Sequence, residues 1–276
     1  MPDAAPPLGL IAGNGRFPFL VAQAARRSGR RVVTVAIREE AAPELSAEVD
    51  ALHWVGVGQL GRCIEVLRAA GATEAVMAGQ VKHRQIFSDV VPDLTLMAVL
   101  ARLAVKSTDT LIGGVADALA RAGIQLLSSV ALLADQLATA GAMTARKPNR
   151  DQRQDLAYGR RIARALGELD LGQTVVVKSG AVVALEAMEG TDEVIRRAGR
   201  IAGPGTVVVK TAKPRQDLRF DVPVVGPDTL VAMRDARSEV LALDAGRTLI
   251  VDRGEFLARA DQEAIAVWGM SGDDGD

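Results

Sequence analysis

The chain is 276 residues long, 49% apolar but only 3% aromatic, with 33 basic against 34 acidic side chains and a net charge of −1. That length suits one large domain or two smaller ones. The scarcity of aromatic rings and the absence of a basic field exclude base-stacking and polyanion-binding roles, so no nucleic acid partner is expected.

Cys63 is the sole cysteine, so no intramolecular disulfide can form. Residues 1–7, MPDAAPP, lack the basic start and apolar run of a signal peptide. No run of about 18 apolar residues is uninterrupted; the nearest, LTLMAVLARLAV (94–105), is broken by Arg102. The expected setting is the cytoplasm.

In chain order, LGLIA (8–12) reads as a strand, FPFLVAQAARRSG (17–29) as a helix stopped by glycine, and RVVTVAI (31–37) as a second strand. QLGRCIEVLRAAG (59–71) is a helix, EAVMAG (74–79) a strand, TLIGGVADALARAG (110–123) a helix, IQLLS (124–128) a strand and VALLADQLATAG (130–141) a further helix. This alternation predicts a Rossmann-like parallel-sheet domain over residues 1–142. The polar stretch MTARKPNRDQRQD (143–155) predicts a linker over 143–154. A helix over 155–169 opens the second half, where TVVVK (174–178), AVVALEAM (181–188), TVVVK (206–210), KPRQDLRFDVPVVG (213–226), EVLAL (239–243) and TLIVD (248–252) read as strands. With helices over 192–199 and 227–236 between them, they predict a C-terminal α/β domain with a mixed sheet over 155–276. The fold class is therefore α/β throughout.

Several stretches carry candidate chemistry. GLIAGNGRFP (9–18) puts Gly13 and Gly15 between a strand and a helix, where backbone N–H groups can receive a phosphate. A ligand-free tight turn explains the same pair, and Pro18 stands where a dinucleotide fingerprint needs its third glycine. Glu39 and Glu40 follow the second strand as a ribose-binding acid would, or as solvated loop acids. Gly79 and Gln80 begin GQVKHR (79–84) at a strand's carboxyl end, and Lys82, His83 and Arg84 read equally well as a solvated turn. His53 and His83 are the two histidines, far apart in sequence, so a histidine-rich metal site is excluded.

In EAMEGTDEVIRR (186–197), Thr191 can cap a helix whose first turn holds Asp192 and Glu193. Glu189 and Gly190 are left unexplained by capping. In KPRQDLRFDVPVVG (213–226), Arg215, Asp217, Arg219 and Asp221 fall at every second position, so an extended chain puts them on one face. One explanation is a self-neutralised edge strand. The other adds Lys210 and Lys213 upstream: cations to receive a phosphate, and a carboxylate among them to hold a divalent metal or orient a water.

GLIAGNGRFP, GQVKHR, LGQTVVVKSGAVVALEAMEGTDEVIRRAG (171–199) and KTAKPRQDLRFDVPVVGPDT (210–229) together resemble the LpxI-type UDP-2,3-diacylglucosamine pyrophosphatase family, from the first strand to about residue 252. The resemblance implies hydrolysis of UDP-2,3-diacylglucosamine to 2,3-diacylglucosamine 1-phosphate and UMP in lipid A biosynthesis. It implies water attack at the α-phosphorus with a divalent cation, magnesium, as cofactor. Asp221 of the R-x-D-x-P element is the implied essential aspartate, for metal binding or water activation, with Asp217 as a supporting charge. Gln173, Glu189, Thr191, Asp192, Gly13, Gly15, Gly79 and Gln80 fall on motif positions expected to line the nucleotide or diphosphate site, joined by Lys106 and Asp109 of KSTD (106–109). Lys210, Lys213 and Arg219 are the candidates for neutralising the diphosphate. The helix around 94–105 is either core or a surface for acyl chains.

A lipid substrate implies transient contact with the cytoplasmic face of a membrane, and the sequence leaves a homo-oligomer open. The alternative function is a nucleotide-binding regulatory protein without catalysis; a nicotinamide-dependent oxidoreductase is a third.

Overall fold

The computed structural model describes residues 5–38, 40–81, 91–103, 108–214, 216, 217, 219 and 221–271, apart from the side chains at 108 and 109. The chain divides into two compact units, one of Met1–Leu133 with Leu218–Phe220, the other of Ala134–Asp217 with Asp221–Asp276.

The first unit is built on a five-stranded sheet of order β3-β2-β1-β4-β5, with every neighbouring pair parallel. Its strands are β1 (Leu8–Ala12), β2 (Val32–Ile37), β3 (Ala51–Val55), β4 (Glu74–Ala78) and β5 (Gln125–Leu126). Strands β1 and β2 are buried along almost their whole length, as continuous apolar runs in a parallel sheet covered on both faces should be. The helices are α1 (Phe17–Arg27), α2 (Leu60–Ala69), α3 (Leu94–Leu100) and α4 (Thr108–Arg121). The unit's core gathers Val35, Cys63, Leu67, Leu119 and Ile124.

One expectation fails, and one strand is new. The stretch 130–141 forms no α-helix; a short 3-10 turn over Ala134–Gln136 stands there instead. Backbone pairing takes over nearby, since the Ala138 N–H bonds to the Thr248 carbonyl and β6 (Gly141–Ala142) pairs with a strand of the second unit's sheet. Strand β3 was also not anticipated, because ALHWV carries one histidine and a half-exposed tryptophan rather than an apolar run.

The second unit carries a mixed six-stranded sheet of order β6-β13-β11-β9-β7-β8. After β6 come α5 (Arg150–Glu168), β7 (Thr174–Lys178), β8 (Ala181–Leu185), α6 (Thr191–Ala202) and β9 (Val207–Lys210). They are followed by β10 (Val224–Val225), α7 (Pro227–Ala236), β11 (Val240–Asp244), β12 (Leu249–Ile250), α8 (Arg253–Gln262) and β13 (Ala266–Met270). Strands β9, β11 and β13 are parallel, β7 runs antiparallel to both β8 and β9, and β10 with β12 forms a separate parallel pair.

Helix α5 starts at Arg150 rather than 155 because Asn149 and Gln152 form a reciprocal capping box. Asp155, inside that helix, accepts from the backbone N–H groups of Ser179 (2.8 Å) and Gly180 (2.6 Å), which pins the β7–β8 turn. No helix among the described residues is long and apolar enough to cross a membrane.

Candidate functional site

In the first unit, β1 lies between β2 and β4, so the chain order reverses beside it at the carboxyl ends of the strands. Gly13, Gly15, Gly79 and Gln80 all collect there. The backbones of Asn14 and Gln80 bond to each other, Asn14 N–H to the Gln80 carbonyl at 2.8 Å and Gln80 N–H to the Asn14 carbonyl at 3.1 Å. The glycines permit this crossing. A Cβ on Gly13 would meet the Gln80 carbonyl oxygen at 2.8 Å, and one on Gly79 would meet the Asn14 carbonyl oxygen at 2.6 Å. The Gly13 N–H is likewise bonded, to the Ala78 carbonyl at 2.8 Å.

Glu40 is buried, and Asn14 Nδ2 donates to its Oε2 at 3.4 Å, so it is not the solvated loop acid that its position allowed. Glu39, Lys82, His83, Arg84 and Lys106 lie outside the described residues, and Asp109 sits in the first turn of α4 with its side chain undescribed. In α3, Leu96 and Val99 are buried while Leu94 and Met97 are exposed, so that helix is part core and part apolar surface. Arg219 belongs to this unit, and its carbonyl accepts from Ser129 Oγ at 2.7 Å.

The second unit gathers more of the candidates at one end of its sheet. Register places the end of β9 beside the start of β7, with Lys210 opposite Thr174. The end of β8 comes to the same edge and leads into α6. Lys210 is 3% exposed, and its Nζ donates to Thr191 Oγ1 at 2.6 Å. Thr191 donates in turn to Glu186 Oε1 at 3.0 Å, and the buried Thr174 hydroxyl lies 3.3 Å from the Thr191 oxygen. Glu186 Oε2 accepts from the Gln173 N–H at 3.2 Å, and the Gln173 carbonyl accepts from the Thr211 N–H at 2.9 Å.

Thr191 therefore does not cap α6. Gly190 holds the N-cap position, and the hydroxyl turns away to the strands. Glu189 is taken up by an ion pair with Arg197 at 2.5 Å and by the Ala187 N–H at 3.0 Å. Hydrogen bonds to backbone N–H groups and to Arg197 hold its carboxyl below the usual carboxylate range.

Charges at this edge are coupled. Burial pushes the Lys210 ammonium below its ordinary value, opposed by the carboxylates of Glu186, Asp192 and Asp221. Asp192 is half-buried, which pushes its carboxyl up; Thr229 hydrogen-bonds to it and Arg196 and Lys210 attract it, while Asp228 repels it. Gln173 Oε1, Thr211 Oγ1 and Gln216 Nε2 are buried around this edge with no partner among the described residues. An edge rich in unmatched polar atoms suits a polar ligand.

Asp221 reaches this edge by a different local structure from the one expected. Its N–H bonds to the Asp217 carbonyl at 2.9 Å, a turn of helical type, so the two acids are one turn apart rather than on alternate places of a strand. Turns at Pro214 and Arg219 interrupt the alternating pattern, and β10 begins only at Val224. Arg215 falls outside the described residues. Lys213 is drawn aside, its Nζ paired with Asp170 at 2.5 Å.

Sequence reasoning passed over Glu186. The signal was present: in a strand over 181–188 it shares the inward face with Ala184, and a carboxylate at a core position requires partners. Gly172, of the LGQ element, is explained by the same neighbour, since a Cβ there would meet the Glu186 carbonyl oxygen at 2.2 Å.

Comparison with known proteins matches residues 7–136 to the LpxI N-terminal domain and residues 139–268 to the LpxI C-terminal domain. The UDP-2,3-diacylglucosamine pyrophosphatase LpxI of Caulobacter vibrioides is 33% identical over 274 residues, covering 95% of this chain and 97% of that protein. With both domain models matched in order and a relative aligned nearly end to end, the chain belongs to the LpxI family.

Proposed function

We propose that the chain is a UDP-2,3-diacylglucosamine pyrophosphatase, a hydrolase that releases UMP and 2,3-diacylglucosamine 1-phosphate in lipid A biosynthesis. What supports this reading is the buried Lys210 at the sheet edge, its charge countered in part by Asp221, in a chain of which 95% aligns with a relative bearing that name. A diphosphate ester brings about two negative charges, and burying them calls for cations and hydrogen-bond donors. Lys210 supplies the cation, and the Thr191–Glu186–Gln173 chain of hydrogen bonds holds it in place.

Among the described residues no three His, Cys, Asp or Glu side chains gather as a metal cage. Magnesium does not need one, because it is commonly held by one or two carboxylates together with substrate phosphates and retained waters. Asp221, with Asp217 one turn away, fits that role. When bound, magnesium supplies positive charge to the phosphate oxygens.

The water oxygen forms a new bond to the α-phosphorus and becomes part of UMP. The bond from that phosphorus to the bridging oxygen breaks, and its electron pair leaves with the lipid 1-phosphate. Asp221 takes the proton of the attacking water. The lipid substrate brings a cytoplasmic protein to the membrane surface by transient peripheral contact.

Asp221→Ala should fold as the parent does and release no UMP from UDP-2,3-diacylglucosamine. In labelled water, the parent should place the label in UMP. Parent-like turnover by the variant, or label in the sugar phosphate, defeats this mechanism. Tight UMP binding with no metal-dependent turnover would favour a regulatory nucleotide-binding role instead.

A further inference from the structure

Glu186 is 8% exposed and immediately follows β8, outside the set of residues read as contacting the ligand. Its two oxygens divide their work. Oε2 accepts the Gln173 N–H at 3.2 Å and so fixes the start of β7; Oε1 accepts the Thr191 hydroxyl at 3.0 Å at the start of α6.

A hydroxyl has one proton and two lone pairs. With the Thr191 proton committed to Glu186, its lone pairs face the other way, toward Lys210 Nζ at 2.6 Å and the Thr174 hydroxyl at 3.3 Å. An ammonium has three N–H bonds, and fixing one of them restricts the cone swept by the other two. The carboxylate thus governs the aim of the ammonium by way of the Thr191 hydroxyl. Its charge works in the same direction, since it leads the attractions that counter the burial of Lys210.

We propose that Glu186 is a positioning residue for this site: through the Thr191 hydroxyl it sets where the Lys210 ammonium points, so that the remaining N–H bonds meet the anionic part of the ligand. The inference rests on the reading of this edge as the diphosphate site. In this role Glu186 acts through Thr191 and Lys210 rather than by contact with the substrate. Its loss should therefore be felt in turnover more than in ground-state binding.

The test compares Glu186→Gln, Thr191→Val and the double variant by steady-state release of UMP from UDP-2,3-diacylglucosamine with magnesium, alongside melting temperature. Each single variant should lose about tenfold or more in kcat while KM stays within about threefold. The double variant should fall no further than the worse single within about threefold, because both changes break one chain of contacts. Melting temperatures should stay within about 3 °C of the parent. Where Glu186→Gln does not fold, Glu186→Asp, which keeps the charge but shortens the reach, should show the same loss of kcat.

Parent-like kcat in a folded Glu186 variant overturns the proposal. So does a double variant whose loss is the product of the two singles, or a loss confined to melting temperature. A parent protein that releases no UMP at all overturns the functional reading itself and the proposal with it, and that result is recognised before any variant is compared.

Discussion

At Thr191 one hydroxyl serves three neighbours: it donates to Glu186, receives the Lys210 ammonium and lies against Thr174. Such saturation gives the side chain a single orientation, which a helix-capping threonine facing solvent would not have. Asp192, the next residue, is where pH should act. Its folded pKa is raised by burial, so its contribution to stability is fully present below the unfolded value and is lost as pH rises through the folded one. Asp192→Asn should therefore gain stability relative to the parent between about pH 3 and pH 7, read as urea midpoints at the two values. An equal difference at both would count against this account. Cys63, by contrast, is core: burial, with a smaller push from the Asp93 charge, moves its thiol up to about 12.

At the scale of elements, the repeated TVVVK shows how topology separates identical segments. Strands β7 and β9 are antiparallel neighbours, so their terminal lysines emerge at opposite ends of the sheet. Lys178 Nζ donates to the Ala202 carbonyl at 2.6 Å, at the C-terminus of α6, where a cation complements the helix dipole. Lys210 meets the N-terminus of the same helix, where the dipole opposes it and carboxylates must compensate. The first placement is structural; the second needs anions. The β7 start and the β8 end are fitted together at Gly172, and Gly172→Ala would drive a Cβ to 2.2 Å from a backbone oxygen. That substitution should cost about 1–3 kcal/mol in urea unfolding. It should also lower turnover, because the shift moves Gln173 and Glu186 together. An unchanged midpoint would show that the backbone gives way freely.

For the whole molecule, each unit has its own core clusters and its own tryptophan. Trp54 lies in β3 and Trp268 in β13, and the sequence contains no others. Leu119→Ala, in the first core, should lower the urea midpoint reported by Trp54 in a Trp268→Phe background. Met233→Ala, in the second, should lower the midpoint reported by Trp268 in a Trp54→Phe background. Each fully buried side chain is worth about 2–5 kcal/mol on truncation. A reporter unmoved by the change in its own unit would contradict this account.

The strand–helix alternation of the first half, the mixed sheet of the second and the family motifs were all legible in the chain, because side-chain periodicity and glycine stops are local properties. The helix expected at 130–141 and most of the strand expected over 213–226 were not, because one gave way to backbone pairing with distant residues and the other, outside Val224–Val225, to a bond from the Asp221 N–H to the Asp217 carbonyl. Of the candidate site, the sequence alone determined which carboxylates, cations and glycines were available. Tertiary structure decided which of them meet: Lys210 with Thr191 and Glu186, Lys213 with Asp170, Glu189 with Arg197. The physical reason is that hydrogen bonds and charges act over a few ångströms, and only strand register and chain crossing bring residues 173, 186, 191 and 210 within that range.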